Sequence, residues 1–483
     1  MLNKRFFTAL AVAACLTTPA ALADGLPELG DTSRNDLSPA MERRIGESLM
    51  NDIRLRDPAY LDDPEVEDYL NQIGQRIAAQ SGEGGVGFRF FAIRDSTINA
   101  FAMFGGFIGV NTGLLLAAQT ESELAGVLAH EISHVTQSHL ARQIAHEKQL
   151  SVASIVSLAL SILAARSNSQ VAGAAAAATE AATIQSQLSY SRDFEREADR
   201  VGFDLLSKAQ FDVQGMASFF ERLQKAGRVY ENNAPVYMRT HPLSTERIAD
   251  MANRAAAVPY RQVPDSVEFQ LVRAKLRASQ GSAQDAVREF AGLVRDRKHP
   301  SEVAAHYGYA LALQRDRDWA AAERELAALG AGRVASPMIE RLAAQLRAQQ
   351  GDLDGARARY VAALQRFPMA SALRYGYVEV LLARGDADTA RRYLEDLVQL
   401  YTQDATLHVL LAKTYAVLGR LGAQHRAQAA AYAATGQLTL AIEQLQLAQK
   451  QPDNDFYEQS VIDARLRELK ARQAEEAKES KRR

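Results

Sequence analysis

Apolar residues follow a helical period over most of the chain, and the period is interrupted in one place. Met41, Ile45, Leu49 and Ile53 recur every four residues, which predicts a helix capped by Ser38 with Pro39 at its first position. Val66, Leu70, Ile73 and Ile77 predict a second helix around Glu65–Ser81. Between Gly82 and Asn111 the pattern changes to short β-type runs, Val86–Ile93 and Phe107–Val110, set between glycines. Helical spacing returns at Glu121 and predicts one long helix to about Leu150. Helices, a small sheet and a long helix make an α+β order.

Beyond the linker-like Val258-Pro259-Tyr260-Arg261-Gln262-Val263-Pro264 the pattern is helical throughout, and it repeats. Gly351, Gly385 and Gly419 stand 34 residues apart. Alanine follows a turn glycine by five residues at Gly281/Ala286, Gly351/Ala356, Gly385/Ala390 and Gly436/Ala441. Glycine permits the tight turn, and alanine lets two helices approach closely. A 34-residue helix-turn-helix unit of this kind is the tetratricopeptide signature. The unit at Gln314–Ala321 lacks the glycine, so one repeat is degenerate. Expected boundaries are 1–23 for an export segment, 35–257 for the α+β part, 266–470 for an all-α repeat solenoid and 471–483 for a charged tail.

Composition narrows the possibilities. Of 483 residues, 56 are Lys or Arg and 58 are Asp or Glu, for a formal charge of −2. That balance argues against nucleic acid as a partner, since phosphate contacts need a basic excess. A single cysteine excludes a disulfide framework and any multi-cysteine metal site. Lys4 and Arg5, the apolar run Phe6–Leu16, and Ala21-Leu22-Ala23 before Asp24 read as a secretory signal peptide. Val12-Ala13-Ala14-Cys15 resembles a lipobox, and the alternative is a lipoprotein anchored through Cys15. The apolar runs Val152–Ala165 and Val171–Ala182 are too short to span a bilayer. Within 152–182 a lid, a membrane-touching hairpin and a core helix all remain open.

The chemistry lies in Glu123–Leu140. His130 and His134 are four apart, hence on one helical face, and Glu131 stands beside the first. Two neutral imidazoles at that spacing suit tetrahedral zinc, and the neighbouring carboxylate can reach a water at the site. A third protein ligand is required. Position 140 is leucine and His139 is out of phase, so the ligand comes from another helix. Ser191–Asp199 supplies it: Glu195 and Asp199 share a face, while Glu197 points away. Glu195 would bind the metal, and Asp199 would hold a ligand histidine or donate a proton.

With Asn99-Ala100-Phe101-Ala102 and Gly105-Gly106 ahead of the H-E-I-S-H helix, and S-R-x-x-E-x-E-A-D after it, the chain resembles the zinc metallopeptidase family of the CAAX prenyl protease. The resemblance implies a zincin-type α+β metallopeptidase domain followed by a tetratricopeptide solenoid. It implies one Zn²⁺ per chain on His130, His134 and Glu195, Glu131 as base, and Asp199 as proton donor or supporting group. In the segment Met238-Arg239-Thr240-His241-Pro242 and Glu246-Arg247, His241 would cap the zinc in a latent state, or His241 or Arg247 would steady the oxyanion. Phe104 departs from the proline that many relatives carry. The implied function is a periplasmic endopeptidase and chaperone acting on unfolded or misassembled proteins. The implied partner is the outer-membrane β-barrel assembly machinery, reached through the repeats. The rival is a periplasmic chaperone or adaptor in which proteolysis is secondary.

Overall fold

The computed structural model describes residues 38–82, 86–146, 191–229, 236–329 and 334–482. Residues 1–23, Cys15 and the apolar runs within 152–182 lie outside them. Helix α1 (Pro39–Arg56) begins as its sequence predicts, with the Ser38 hydroxyl accepting from Met41 N–H. Helix α2 (Pro64–Ala78) is capped by Asp63 and buries Val66, Leu70, Ile73 and Ile77. Each such side chain contributes roughly 1.5–3 kcal/mol, which anchors α2 against the sheet and the helix behind it.

Three short strands follow: β1 (Arg89–Ile93), β2 (Ala100–Ala102) and β3 (Phe107–Asn111), ordered β1-β3-β2. β1 runs parallel to β3, pairing Arg89 with Phe107 and Ile93 with Asn111. β2 runs antiparallel, pairing Ala100 with Val110 and Ala102 with Ile108. β2 is therefore an edge strand. β3 leads through α3 (Thr112–Ala117) into α4 (Glu121–Thr136), the helix that carries the two histidines.

The expected continuous helix from Glu121 to Leu150 is broken. After α4 the chain turns at Ser138, whose φ is +50°, and restarts as α5 (His139–His146). Ser138 N–H bonds back to the Val135 carbonyl at 3.0 Å, closing the last turn in the left-handed manner of a helix stop. Neither Gly nor Pro marks the break. Then come α6 (Arg192–Lys208), α7 (Gln214–Val229), the short α8 (Val236–Thr240) and α9 (Thr245–Ala256).

The remainder is a stack of helix pairs, α10 to α21. They are Val267–Ala278 with Ala283–Arg295, Glu302–Arg315 with Trp319–Ala328, and Pro337–Gln349 with Leu353–Arg366. Ser371–Ala383 with Ala387–Leu400, Ala405–Val417 with Leu421–Ala434, and Leu438–Gln449 with Phe456–Arg482 complete it. The predicted alanines sit at the crossings: Ala286, Ala356, Ala390 and Ala441 are all buried. The solenoid is joined to the first part through α2. Lys275 Nζ lies 2.6 Å from Asp63 and also pairs with Glu65, and Arg341 reaches Glu65 at 3.2 Å. Asp68 accepts from both Ser371 N–H and Ser371 Oγ, at 2.9 and 2.8 Å. It thereby caps α16 (Ser371–Ala383), whose own cap position is Ala370.

The degenerate repeat keeps its turn without glycine. Asp352 N–H returns to the Arg347 carbonyl around Gly351, and Asp386 N–H to Leu381 around Gly385, both at 2.9 Å. Asp318 N–H makes the same bond to Leu313 at 3.0 Å, but around Arg317, whose φ is +66°. A residue with a Cβ there costs about 1–2 kcal/mol, partly offset by the greater freedom glycine loses on folding. Arg317→Gly is expected to raise stability by about 0.5–1 kcal/mol, measured by denaturant unfolding followed on the repeat helices.

Candidate metal centre

Helix α4 is held at its N-terminal end before any chemistry is considered. The Thr120 hydroxyl accepts from Glu123 N–H at 3.2 Å, and Arg222 clasps the Glu123 carboxylate at 2.6 and 2.7 Å. Glu121 accepts from Tyr69 O–H at 3.1 Å, Ser266 O–H at 2.6 Å and Ser266 N–H at 3.1 Å. These contacts fix where His130, Glu131 and His134 emerge. All three are buried.

Helix α6 crosses α4 at Gly202. A Cβ built there would stand 3.1 Å from the Ala129 carbonyl and the His130 nitrogen, so the two backbones are nearly in contact. Gly202 is seven residues after Glu195 and three after Asp199, on their face of the helix. The close crossing therefore delivers both carboxylates to the histidines. Glycine at this place was not singled out from the sequence. The signal was available, as a glycine in phase with two acids.

The predicted residues converge. His130 Nε2 lies 3.0 Å from His134 Nε2 and 3.5 Å from Glu195 Oε2. His134 Nε2 lies 3.5 Å from Glu195 Oε1. His241, at the end of α8, puts Nδ1 2.9 Å from Glu195 Oε1 and 3.3 Å from His130 Nε2. One donor atom from each of His130, His134, Glu195 and His241 falls within 4.8 Å of the others. The arrangement has the chemistry of a cation site. Two facing Nε2 atoms at 3.0 Å cannot both carry a proton, and Glu131 Oε1 is buried without a hydrogen bond. Two imidazoles and a carboxylate are a donor set that suits a divalent transition metal.

The surrounding groups divide into those that back the ligands and one that faces the reaction. His130 Nδ1 is 3.1 Å from Asp199 Oδ1. Arg247 donates to Asp199 through Nε and Nη2 at 2.6 and 2.8 Å, to Glu195 through Nη1 at 2.6 Å, and to the Pro242 carbonyl at 2.7 Å. Burial works to raise the Asp199 carboxyl, but the Arg247 bonds and His130 outweigh it and hold it below the usual range. Glu195 is likewise held well below its usual value, with His241 and His130 overcoming burial. For Glu131 the balance is opposite. Burial raises its carboxyl, and the charges of His241 and His130 only partly oppose that. Glu131 Oε2 accepts from Ala102 N–H at 3.1 Å, and Oε1 lies 3.5 Å from His241 Nε2. Glu131 is thus tied to the edge strand. His139 and Glu197, set aside in the sequence as out of phase and pointing away, form a bonded pair against His134.

The sequence profile of peptidase family M48 matches residues 64–255, and tetratricopeptide repeat profiles match 254–335 and 347–414. The beta-barrel assembly-enhancing protease of Escherichia coli is 32% identical over 456 residues, covering 93% of this chain and 92% of that one. This chain belongs to peptidase family M48. A putative beta-barrel assembly-enhancing protease of Vibrio cholerae is 41% identical over 253 residues, 52% of each chain. The mitochondrial metalloendopeptidase OMA1 of Schizosaccharomyces pombe is 33% identical over 192 residues, covering 37% of this chain and 50% of that one.

The protein is an M48 metallopeptidase followed by tetratricopeptide repeats, and its metal geometry hangs on the α4–α6 crossing. Gly202→Val is expected to push Glu195 away from the histidines. A misplacement of about 1 Å costs on the order of 100-fold in such sites. Metal content after dialysis, read by atomic absorption, should fall below half that of the parent, while helix content by circular dichroism is kept.

Proposed function

We propose that the chain is a zinc-dependent endopeptidase of the periplasm that cuts misfolded or stalled proteins during outer-membrane protein assembly. The convergence of His130, His134 and Glu195 beside the raised, buried carboxyl of Glu131 carries this reading. His130, His134 and Glu195 would hold the ion. When bound, zinc supplies a Lewis acid that polarises the scissile carbonyl and makes water nucleophilic near neutral pH. Glu131 takes the water's proton on its carboxylate and returns it to the leaving amine nitrogen, a task that a raised pKa favours. Asp199 works by fixing His130 through Nδ1, and Arg247 by clamping Asp199 and Glu195 together. With both Asp199 oxygens engaged and its carboxyl held low, we assign it no proton donation.

The edge strand β2 offers backbone to an extended substrate, which reads main chain and accepts many sequences. A substrate strand would compete with Glu131 for Ala102 N–H. His241 stands between Glu131 and Glu195, where water and substrate carbonyl must enter. We therefore read His241 as a plug that holds the enzyme latent, rather than as an oxyanion donor. Among the described residues no helix is long and apolar enough to cross a membrane. Export through the segment 1–23, with cleavage before Asp24, belongs to this reading, as do a peptidase domain over 35–257 and a repeat domain over 266–470. The names of the relatives and the repeat solenoid support docking to the outer-membrane β-barrel assembly machinery.

Glu131→Gln should retain zinc and lose casein cleavage by about 100-fold or more; cleavage at the parent rate would overturn the assignment. His241→Ala should raise casein cleavage severalfold with Glu131 intact, whereas a fall would return His241 to the oxyanion role. The rival adaptor reading is separated by Glu131→Gln in cells, since full rescue of outer-membrane assembly would favour it.

A further inference from the structure

The two ligand histidines are backed in different ways. His130 Nδ1 meets a carboxylate directly, at Asp199. His134 Nδ1 meets another imidazole, His139 Nδ1, at 2.9 Å. His139 Nε2 is 3.1 Å from Glu197 Oε2, and Arg142 Nη1 donates to the same oxygen at 2.9 Å. His139 is fully buried, its ring stacked on Phe194 with centroids 4.6 Å apart and planes 14° apart, and the Arg142 guanidinium lies 4.7 Å from the centre of that Phe194 ring. The contact exists because of the break at Ser138. On a continuous helix a residue five after His134 would face elsewhere. Helix α6 therefore serves the site twice, with Glu195 on the face toward the metal centre and Glu197 on the face toward His139.

The protons in this chain can be assigned from what each end requires. To bind metal through Nε2, His134 must carry its proton on Nδ1 and donate it. His139 Nδ1 must then accept, which places the His139 proton on Nε2, facing Glu197. The carboxylate accepts that proton's hydrogen bond and Arg142 holds the carboxylate in place. In the reverse arrangement His139 Nδ1 would donate, the His134 proton would move to Nε2, and His134 could not bind. We propose that His139 and Glu197 are positioning residues which, through this relay, fix the tautomer and ring orientation of His134 and thereby set metal affinity. The inference rests on His130, His134 and Glu195 being the ligands.

The test is zinc affinity of the full-length protein, by competition with a chromophoric chelator, alongside Co²⁺ absorption spectra and melting of the metal-free form. His139→Phe keeps a ring against Phe194 but offers no acceptor; it should weaken zinc binding about 10- to 100-fold and perturb the Co²⁺ bands. His139→Asn places a carbonyl oxygen near the Nδ1 position and should recover most of that loss. Glu197→Ala, at a side chain 28% exposed, should weaken zinc severalfold without loss of folding, and carries the test if His139→Phe does not fold. Parent-like affinity in both His139→Phe and Glu197→Ala would overturn the relay. A parent protein that binds neither zinc nor Co²⁺ would instead overturn the ligand set.

Discussion

Three imidazoles, three carboxylates and one guanidinium share a volume from which water is excluded, and this crowding governs the peptidase domain. Taking such charges out of water costs several kcal/mol per ion before any pairing. Arg247 offsets part of that by holding Asp199 and Glu195 at 2.6–2.8 Å. It cannot offset the rest, because it stands on one side while His130 Nε2, His134 Nε2 and Glu131 Oε1 turn their lone pairs to the other. A divalent cation there would be held by His130, His134 and Glu195, with Glu131 left facing it. The buried salt bridge is therefore weak as a source of stability; what it does is hold Asp199 and Glu195 in place beside the histidines.

Helical period and ligand spacing were enough to read most of this site from the chain. His130 and His134 are four apart, Glu195 and Asp199 are four apart, and each pair needs only a straight helix to share a face. The assignments that depended on two elements meeting were not legible in the same way. His139 lies five residues beyond His134, and it returns to His134 only because the backbone goes left-handed at Ser138. Serine gives no local warning of such a stop. Glu197 was discounted for pointing away from Glu195, which is correct along α6, but its own direction is where α5 comes to lie. The depth of the α4–α6 crossing depends on Gly202, which stands in phase with Glu195 and Asp199 but whose partner across the crossing, Ala129, appears only in the structure.

The same division holds in the solenoid. Gly351 and Gly385 announced their turns because a left-handed residue without glycine is costly, and Ala356 and Ala390 announced the close crossings that follow. The unit around Arg317 was harder to place because the fold tolerates the cost there, as it does at Arg297, in a stack whose neighbours supply the packing. Pattern reads what local energetics enforce; it does not read what a neighbour repays.

The two parts are joined by buried polar contacts at both α4 and α2. At one end Glu121, buried at the start of α4, collects bonds from Tyr69 and from Ser266, the cap of the first solenoid helix. A carboxylate with three donors out of water cannot release one of them cheaply. At the start of α2, Lys275, from that same first solenoid helix, and Arg341 meet Asp63 and Glu65, and Ser371 meets Asp68; Glu65 is itself buried. The first repeats and the histidine helix are therefore fixed together, around one buried apolar core that runs from Val66 to Leu346. Because α2 packs on both α4 and β1, the same helix that receives the solenoid also braces the helix of Glu131 against the sheet whose edge strand it bonds.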